Sequence, residues 1–239
     1  MIRIDERSFS ELRKIQVEKI SSESIILSLG KTKILFFTQV LPVNVQSEKP
    51  FEGFFTFFID SIFHRDYFDS TNDQSRYISN IERNIKTINS IDLESLVISP
   101  GKYCWNIRCD AHILENDGGL GFLCSISLIW ILSTIKIPQA TYVPSSDSII
   151  IHDIFEKHSR SVSIFSKNII YELGLIGAKS VICDPNMDEG LSILITVNDN
   201  NEVLNITTTD GLFSSPEIFN EFIDIISKKK EEISLKDVL

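Results

Sequence analysis

Short apolar segments separated by turn residues make up the first part of the chain, and their length predicts β-strands. In such a segment apolar and polar residues alternate, because successive side chains of a strand point to opposite faces. The Gly30-Lys31 pair predicts a turn between the second and third segments. The predicted strands are residues 14–20, 24–29, 33–40 and the phenylalanine-rich segment 51–59.

Two segments of the first half are predicted to be helical. From Tyr77 to Ile88 apolar residues recur at steps of three and four, so they share one helical face. The segment 120–135 is apolar over most of its length and predicts a buried helix. It is shorter than the roughly 18 residues that a membrane-spanning helix needs. The remaining features are a loop at 60–74, a short apolar segment at 93–98 and a long strand at 103–114.

The second half has a similar outline. Residues 192–197 and 202–207 flank an Asn-Asp-Asn-Asn turn and predict a hairpin. Ser215-Pro216 opens a last predicted helix, and Lys228–Lys230 at its end suit the negative end of the helix dipole. Four further strands are predicted at residues 141–143, 148–151, 162–165 and 179–183.

The repeated order of strands, hairpin and helix predicts an α+β fold. We expect duplicated β-α-β units with helices packed on sheets, divided into the halves 1–138 and 139–239 of one compact domain. No Gly-x-Gly-x-x-Gly follows a predicted strand, so the pattern does not favour a Rossmann fold.

Composition adds constraints on function. The 239 residues are 43% hydrophobic and 23% charged, which excludes an intrinsically disordered chain. The formal net charge of −10 excludes a broadly basic nucleic-acid coat, but it is compatible with a local basic path. The charged N-terminal residues predict no secretory leader, and the four scattered cysteines form no Cys-x-x-Cys pair. We therefore expect reduced cysteines in an intracellular protein that does not bind membranes.

A cluster of carboxylates follows the predicted strand 179–183. Asp184, Asp188 and Glu189 lie within six positions and could provide the oxygen ligands that Mg²⁺ prefers. A solvated acidic turn explains the same spacing, and the spacing alone favours it because exposed carboxylates are common. Asp117 could also serve chemistry, although the Asn-Asp-Gly-Gly turn that contains it accounts for an aspartate there.

The sequence contains no nucleophile motif and no phosphate-binding loop of known pattern. His152 and His158 are six residues apart, and His64 and His112 lie far from them, so the close ligand spacing of a zinc site is missing. We predict no catalytic residue, no metal site and no cofactor.

Basic residues of the first predicted helix are candidates for contact with nucleic acid. Arg76, Arg83 and Lys86 lie outside its apolar face. In an acidic protein, such a cationic stripe could follow a phosphate backbone. A solvated helix face explains the pattern equally well, because Glu82 beside Arg83 weakens the positive field.

A series of short motifs occurs in order over nearly the whole chain. It opens with Arg3-Ile4-Asp5-Glu6-Arg7 and Arg13, and it continues through segments 29–35, 51–53, 91–96, 100–102, 105–110, 114–118, 184–186 and 190–198. In this order and spacing, the motifs resemble the RNase PH family. Within that family, the resemblance is to the catalytically silent ring subunits of the eukaryotic RNA exosome.

The resemblance implies an RNase PH-like fold and a hetero-oligomeric ring of six such subunits around a channel. Single-stranded RNA would pass below cap subunits and through the channel to a separate hydrolytic exoribonuclease, for rRNA processing and RNA decay. The resemblance also implies localisation to the nucleus and nucleolus, and to the cytoplasm. The resembling subunits have two basic residues at the positions of Arg83 and Lys86, which implies that this helix borders the channel.

Departures from the family pattern argue against catalysis. Phosphorolysis needs a held phosphate and a metal that neutralises the leaving oxygen. Active relatives hold phosphate with a Gly-rich turn followed by a hydroxyl residue and an arginine, whereas residues 118–121 of this chain are Gly-Gly-Leu-Gly. In the opening motif, Glu6 stands where the family has glycine.

The resemblance and its departures together imply a non-catalytic subunit that contacts RNA. The carboxylates of Asp117, Asp184, Asp188 and Glu189 would then be vestiges of an active site. Two alternatives remain open from the sequence, an active phosphorolytic 3′→5′ exoribonuclease and a solitary acidic protein-interaction domain.

Overall fold

Two β-sheets with a buried helix between them form the framework of the chain in a computed structural model. The structure describes residues 3, 5–60, 71–87, 91–152, 159–176, 180–190, 193–208, 220–221 and 223–226. The first sheet has six strands in the order β1-β2-β3-β6-β4, with β5 also paired to β6. Its elements are β1 (Ile15–Lys19), β2 (Ser24–Leu29), β3 (Thr32–Asn44), β4 (Phe54–Asp60), α1 (Thr71–Thr87), β5 (Val97–Ser99), β6 (Tyr103–Glu115) and α2 (Leu120–Thr134).

The pairing within the first sheet follows from short connections and one crossover. Strands β1, β2 and β3 are consecutive antiparallel neighbours, and β3 continues antiparallel to β6. Strand β4 is parallel to β6, and the connection between them includes α1, a 3₁₀ turn at Glu94–Leu96 and β5. A crossover with a helix is the usual way to join parallel strands.

Helix α2 is apolar on all sides because it is buried on all sides. Thirteen of its 15 residues, from Leu120 to Leu132, are buried. It packs on β2 and β3 of the first sheet and on β11 of the second. The Ser125 hydroxyl donates to the carbonyl oxygen of Phe122 and accepts the N–H of Ile170, so a buried polar group also joins α2 to the second sheet.

The second sheet contains four antiparallel strands in the order β12-β11-β13-β14. Two smaller pairs, β7 with β10 and β8 with β9, lie outside it. The elements of this part are β7 (Lys136–Ile137), β8 (Ala140–Val143), β9 (Ser148–Ile151), β10 (Arg160–Ser161), β11 (Ile169–Ile176), β12 (Ser180–Cys183), β13 (Ile193–Val197) and β14 (Val203–Thr208).

The structure differs from the predicted elements at two places in the second half. The predicted strand 162–165 is wrong, because this segment makes only an isolated bridge between Ile164 and Ile91, and the short strand beside it is β10. Strand β11 was not predicted at all. Its sequence, Ile-Ile-Tyr-Glu-Leu-Gly-Leu-Ile, includes a glutamate and a glycine, two residue types that are depleted in strands.

The two predicted helices of the first half are present. Helix α1 begins at Thr71, so the predicted loop extends no further than residue 70, and residues 61–70 lie outside the described part. Of the last predicted helix, residues 220–221 and 223–226 are described and helical, while Ser215-Pro216 and Lys228–Lys230 lie outside the described residues. Among the described residues, no helix is both long and apolar enough to span a membrane.

Candidate functional site

The carboxylate of Asp184 lies at the centre of a buried ion cluster, where the end of β12 meets the turn between β6 and α2. Asp184 has a φ of 52° and is only 3% exposed. Aspartate and asparagine adopt this left-handed conformation more readily than other L-residues. Gly118 of the turn packs against Pro185, the residue after Asp184. A Cβ on Gly118 would lie 2.3 Å from the carbonyl oxygen of Pro185, so this close approach requires glycine.

Two arginines of the N-terminal arm, which comprises residue 3 and residues 5–13, neutralise Asp184. Arg13 donates from Nε to Oδ2 at 2.9 Å and from Nη2 to Oδ1 at 2.6 Å. Arg7 donates from Nη1 to Oδ2 at 2.9 Å, and the backbone N–H of Arg13 reaches the same oxygen at 2.9 Å. Both arginine side chains are largely buried. Both oxygens of Asp184 are therefore engaged by the chain itself.

A second buried ion pair lies beside the first. Arg3 donates to Glu189 through two bonds, from Nε at 2.9 Å and from Nη2 at 2.7 Å, and also to the carbonyl oxygens of Cys183 and Asp184. Burial alone would raise the pKa of Glu189. The hydrogen bonds and charge of Arg3, together with the N–H of Asn186, outweigh burial and hold this pKa below its usual value.

Asp117 joins the same cluster through Arg13. Nη1 of Arg13 donates to the Asp117 carbonyl oxygen at 2.8 Å and lies 3.6 Å from Oδ2 of its carboxylate. From β3, the Thr32 hydroxyl donates to the Gly118 carbonyl oxygen at 2.6 Å and accepts the N–H of Asp117 at 2.8 Å. The turn before α2 is therefore held from two sides.

Three of the four acidic residues singled out in the sequence thus come together, and Asp188 does not. Asp188 is exposed, whereas Asp184 and Glu189 are buried against guanidinium groups. The prediction of a solvated acidic turn is therefore wrong for these two residues. No group of three His, Cys, Asp or Glu side chains is arranged to hold a metal ion in the described part of the chain.

Glu172, which the sequence analysis missed, caps the N-terminus of α2. Its Oε2 accepts the N–H of Gly119 at 3.1 Å, and its Oε1 accepts the N–H of Gly121 and the Tyr77 hydroxyl, the latter at 2.8 Å. The N-cap residue Gly119 has no side chain, so β11 supplies the capping carboxylate from outside the helix. The sequence signal was a single glutamate within an apolar segment, where an unpaired charge would be costly.

The environment of Glu172 has opposing effects on its charge. Burial, at 3% exposure, raises the pKa of this carboxyl group. The Tyr77 hydroxyl and the two glycine N–H groups favour the ionised form and oppose the increase. The pKa of Tyr77 is raised well above its usual value, by burial and then by the adjacent Glu172. A polar group therefore closes the end of α2 deep within the core.

The predicted cations of α1 lie on the opposite side of that helix from the core. Tyr77, Ile81 and Ile85 are buried, whereas Arg76 and Arg83 are exposed. Arg83 contacts the Asn80 side chain at 3.3 Å. Within the described residues, neither Arg76 nor Arg83 has a carboxylate at ion-pair distance.

Lys86 differs from these two arginines. Its Nζ lies 3.4 Å from Oε2 of Glu82 and 4.8 Å from the centre of the Phe58 ring. The structure therefore does not bring the α1 cations into the Asp184 cluster. Lys86 is partly neutralised by Glu82, whereas no carboxylate in the described part of the chain pairs with Arg76 or Arg83.

The remaining candidates are separate from both sites. His152 bonds to the Thr141 hydroxyl at 2.9 Å, and His112 lies 3.2 Å from a carboxylate oxygen of Asp60. His64, His158 and Lys228–Lys230 lie outside the described residues. All four cysteines are buried and free of disulfides, and burial raises the pKa of the Cys109 thiol to about 12.

Comparison with known proteins assigns the sequence of the chain to a family. The family described as 3′ exoribonuclease family, domain 1 (RNase PH), matches residues 11–138, more than half of the chain. Exosome complex component rrp45 of Schizosaccharomyces pombe is 26% identical over 229 residues, which cover 90% of this chain and 77% of that protein. Exosome complex component Rrp42 of Thermococcus gammatolerans is 28% identical over 247 residues, covering 97% and 87%.

Solved structures agree on the fold. The Archaeoglobus fulgidus exosome with RNA bound to the active site contains a chain with a TM-score of 0.75 and 21% identity, covering 97% of this chain and 92% of its own. The sequence motifs resemble most the ribosomal-RNA-processing protein 45 (PM/Scl autoantigen) type of ring subunit, and the S. pombe relative is named exosome complex component rrp45. The predicted RNase PH-like α+β fold is confirmed, and the chain belongs to the RNase PH family.

Proposed function

We propose that the chain is a non-catalytic, RNA-contacting structural subunit of an exosome-type ring that threads RNA for 3′→5′ processing and decay. Relatives in yeast and archaea are named as exosome components, and matches cover most of each chain. The proposal that the subunit is non-catalytic rests on one observation: the carboxylate of Glu172 occupies the N-terminus of α2.

The α2 N-terminus is where an anion would bind in this fold. The first N–H groups of a helix have no partner within the helix, and its dipole is positive at that end. Here the N–H groups of Gly119 and Gly121 donate to Glu172, so a carboxylate of the chain takes the place of a phosphate. Leu120 adds no hydroxyl and Gly121 no guanidinium group.

The cations near this turn are also engaged. Arg7 and Arg13 neutralise Asp184, and Arg3 neutralises Glu189. A divalent cation at Asp184 would have to displace guanidinium groups from both carboxylate oxygens. The residues present therefore do not fit the metal that phosphorolysis requires, and the proposal includes no step through a metal or another cofactor.

We expect no phosphorolysis by this chain. Purified with its ring partners, it should release no nucleoside diphosphate from oligoadenylate in the presence of inorganic phosphate and Mg²⁺, because the Gly119 and Gly121 N–H groups and the arginines beside this turn already bind carboxylates of the chain. Chromatography of the products measures this release. Release that Asp188→Asn abolishes would overturn the proposal, since Asp188 is exposed and its substitution should leave the fold intact. Release that the ring partners give equally in the absence of this chain would belong to a partner subunit.

The proposed partners are other RNase PH-like ring subunits, cap subunits and a hydrolytic exoribonuclease. The exosome names of the relatives support the ring, and the exposed side chains of Phe51 and Phe165, at 63% and 69%, support burial against a neighbour. The cap subunits and the nuclease rest on the family resemblance alone. From the same family resemblance we propose that the protein is located in the nucleus and nucleolus, and in the cytoplasm.

The exposed face of α1 is the proposed RNA contact. Arg76 and Arg83 are exposed and have no carboxylate at ion-pair distance among the described residues, and Lys86 lies about one turn beyond Arg83. An arginine can hold a phosphate through two parallel hydrogen bonds, whereas a lysine acts as a mobile point charge. Because phosphate contacts carry no sequence information, this face should bind single-stranded RNA of any base composition.

Replacing Arg83 and Lys86 together by alanine should lower the salt slope of RNA binding by up to about 1.4, from two contacts at roughly 0.7 each on single strands. The nearby Glu82 reduces the share of Lys86, so Arg83→Ala alone should account for about 0.7. Fluorescence anisotropy of the assembled ring with oligo(A) and oligo(U), at several salt concentrations, measures the slope.

Lys49→Ala provides the control for the loss of an exposed lysine elsewhere on the chain. An unchanged slope for the double variant would mean that this face is merely solvated. A double variant that no longer assembles would instead mean that Arg83 and Lys86 belong to a subunit interface.

A further inference from the structure

The first sheet has one covered face and one face that carries exposed side chains. Along β3, β6 and β4, the side chains that point to the core include Phe36, Ile107 and Phe57, all fully buried. The alternate positions point to the other face, and they include Phe58 and Arg108. Phe58 lies within β4, the edge strand that pairs with β6, and its side chain remains 45% exposed.

Two cations from different elements converge on the Phe58 ring. Lys86 reaches it from α1, with Nζ 4.8 Å from the ring centre, and Arg108 reaches it from β6, with Cζ at 5.4 Å. The position of α1 is fixed here, because the Glu82 carboxylate accepts the N–H of Ile59 at 2.8 Å. The exposed ring is therefore held in place by both the sheet and the helix.

The charges around this ring are balanced. Lys86 lies beside Glu82, and Arg108 donates to Asp110 with Nε 2.9 Å from Oδ2. Such exposed pairs add little stability, but they leave little net positive charge to attract a phosphate. What the cluster offers a ligand is a rigid aromatic ring and the adjoining guanidinium plane, and a flat π-system can stack on both.

We propose that Phe58, flanked by Arg108 and Lys86, is a stacking platform for a base of single-stranded RNA. This inference rests on the proposed function, because it deepens the RNA contact of α1. Arg83 lies one turn from Lys86 on the same helix, so the platform would hold a base where the neighbouring arginine holds a phosphate. Stacking accepts every base, since every base has a π-face.

The test separates stacking from charge. In the assembled ring, Phe58→Ala and Phe58→Leu should each weaken binding of oligo(A) by roughly 5- to 150-fold, the range measured for loss of one stacked base. The salt slope should not change, because no phosphate contact is lost. Phe58→Trp keeps an aromatic face and should bind at least as tightly as the unmodified ring. Ile150→Ala, at an exposed apolar side chain of β9 outside this cluster, is the control and should have no effect.

Several outcomes would overturn the platform. Wild-type affinity of the Phe58→Leu variant would show that the ring does not stack on RNA, and a Phe58→Ala variant that cannot join the ring would show that a protein partner covers this face. If Arg83→Ala lowers the salt slope while Phe58→Leu has no effect, the platform fails and the proposed function stands. If neither variant changes RNA binding, the proposed RNA contact itself fails.

Discussion

Replacing Asp184 by asparagine is expected to destabilise the fold by about 3–5 kcal/mol, the usual cost of removing one partner from a buried ion pair. Asparagine has the same shape and tolerates the φ of 52°, so the backbone preference does not change. The substitution removes the negative charge and directs an amide N–H₂ group toward Arg7 or Arg13. Both arginines would then be buried without a full counter-charge.

Urea-induced unfolding of the purified chain or subcomplex measures this loss, with the fluorescence of buried Trp105 and Trp130 as the signal. Asp188→Asn is the matched control four residues away, and its exposed side chain predicts a change within about 0.5 kcal/mol. Equal stabilities of the two variants would contradict the role assigned to Asp184.

The same cluster predicts how acid affects the unmodified chain. The pKa of Glu189 is held below its ordinary value of 4.5, so its folded state releases the proton at lower pH than the unfolded state does. Its contribution to the free energy of unfolding is therefore complete above the ordinary value and is lost as the pH falls through the lowered one. The ion pair between Arg3 and Glu189, which is one of several attachments of the N-terminal arm, should weaken in this range.

The pattern of apolar residues predicted most of the first sheet because its strands have one buried face. In β2 and β3 buried and partly exposed side chains alternate, which is the period that the sequence displays. It failed for β11, which is buried over its first six residues and therefore has no alternation to detect.

Sequence reasoning found Asp184 and Glu189 but not their partners. The N-terminal arm is 180 residues away along the chain, and the resemblance alone singled out Arg3, Arg7 and Arg13. The spacing of residues within one segment cannot reveal which distant residues pack against a carboxylate in the folded chain. A buried ion cluster and a solvated turn therefore have the same local sequence pattern. The charges of α1 were found because a helix places them on one face within a short segment.

Replacing Glu172 by alanine should destabilise the fold as much as Asp184→Asn does, by about 3–5 kcal/mol, because it leaves unsatisfied buried donors together with a cavity. The N–H groups of Gly119 and Gly121 and the Tyr77 hydroxyl would all lose their acceptor. Water cannot readily replace it, because the site is buried among the residues of α1, α2 and β11. Glu18→Ala, at an exposed glutamate of β1, is the control and should have little effect.

A second substitution separates the hydrogen bonds from the cavity. Glu172→Gln keeps the side-chain volume but turns one acceptor into a donor that faces an N–H group. Its loss of stability should therefore be smaller than that of the alanine variant and larger than that of the control.

The raised pKa of Glu172 means that the folded state holds its proton to a higher pH than the unfolded state. Its contribution is therefore greatest in acid and falls as the pH rises from the ordinary value of 4.5 through the raised value. The difference in urea stability between wild type and Glu172→Gln should shrink across that range, and a difference that instead grows with pH would show that the three donors outweigh burial and keep this carboxylate ionised.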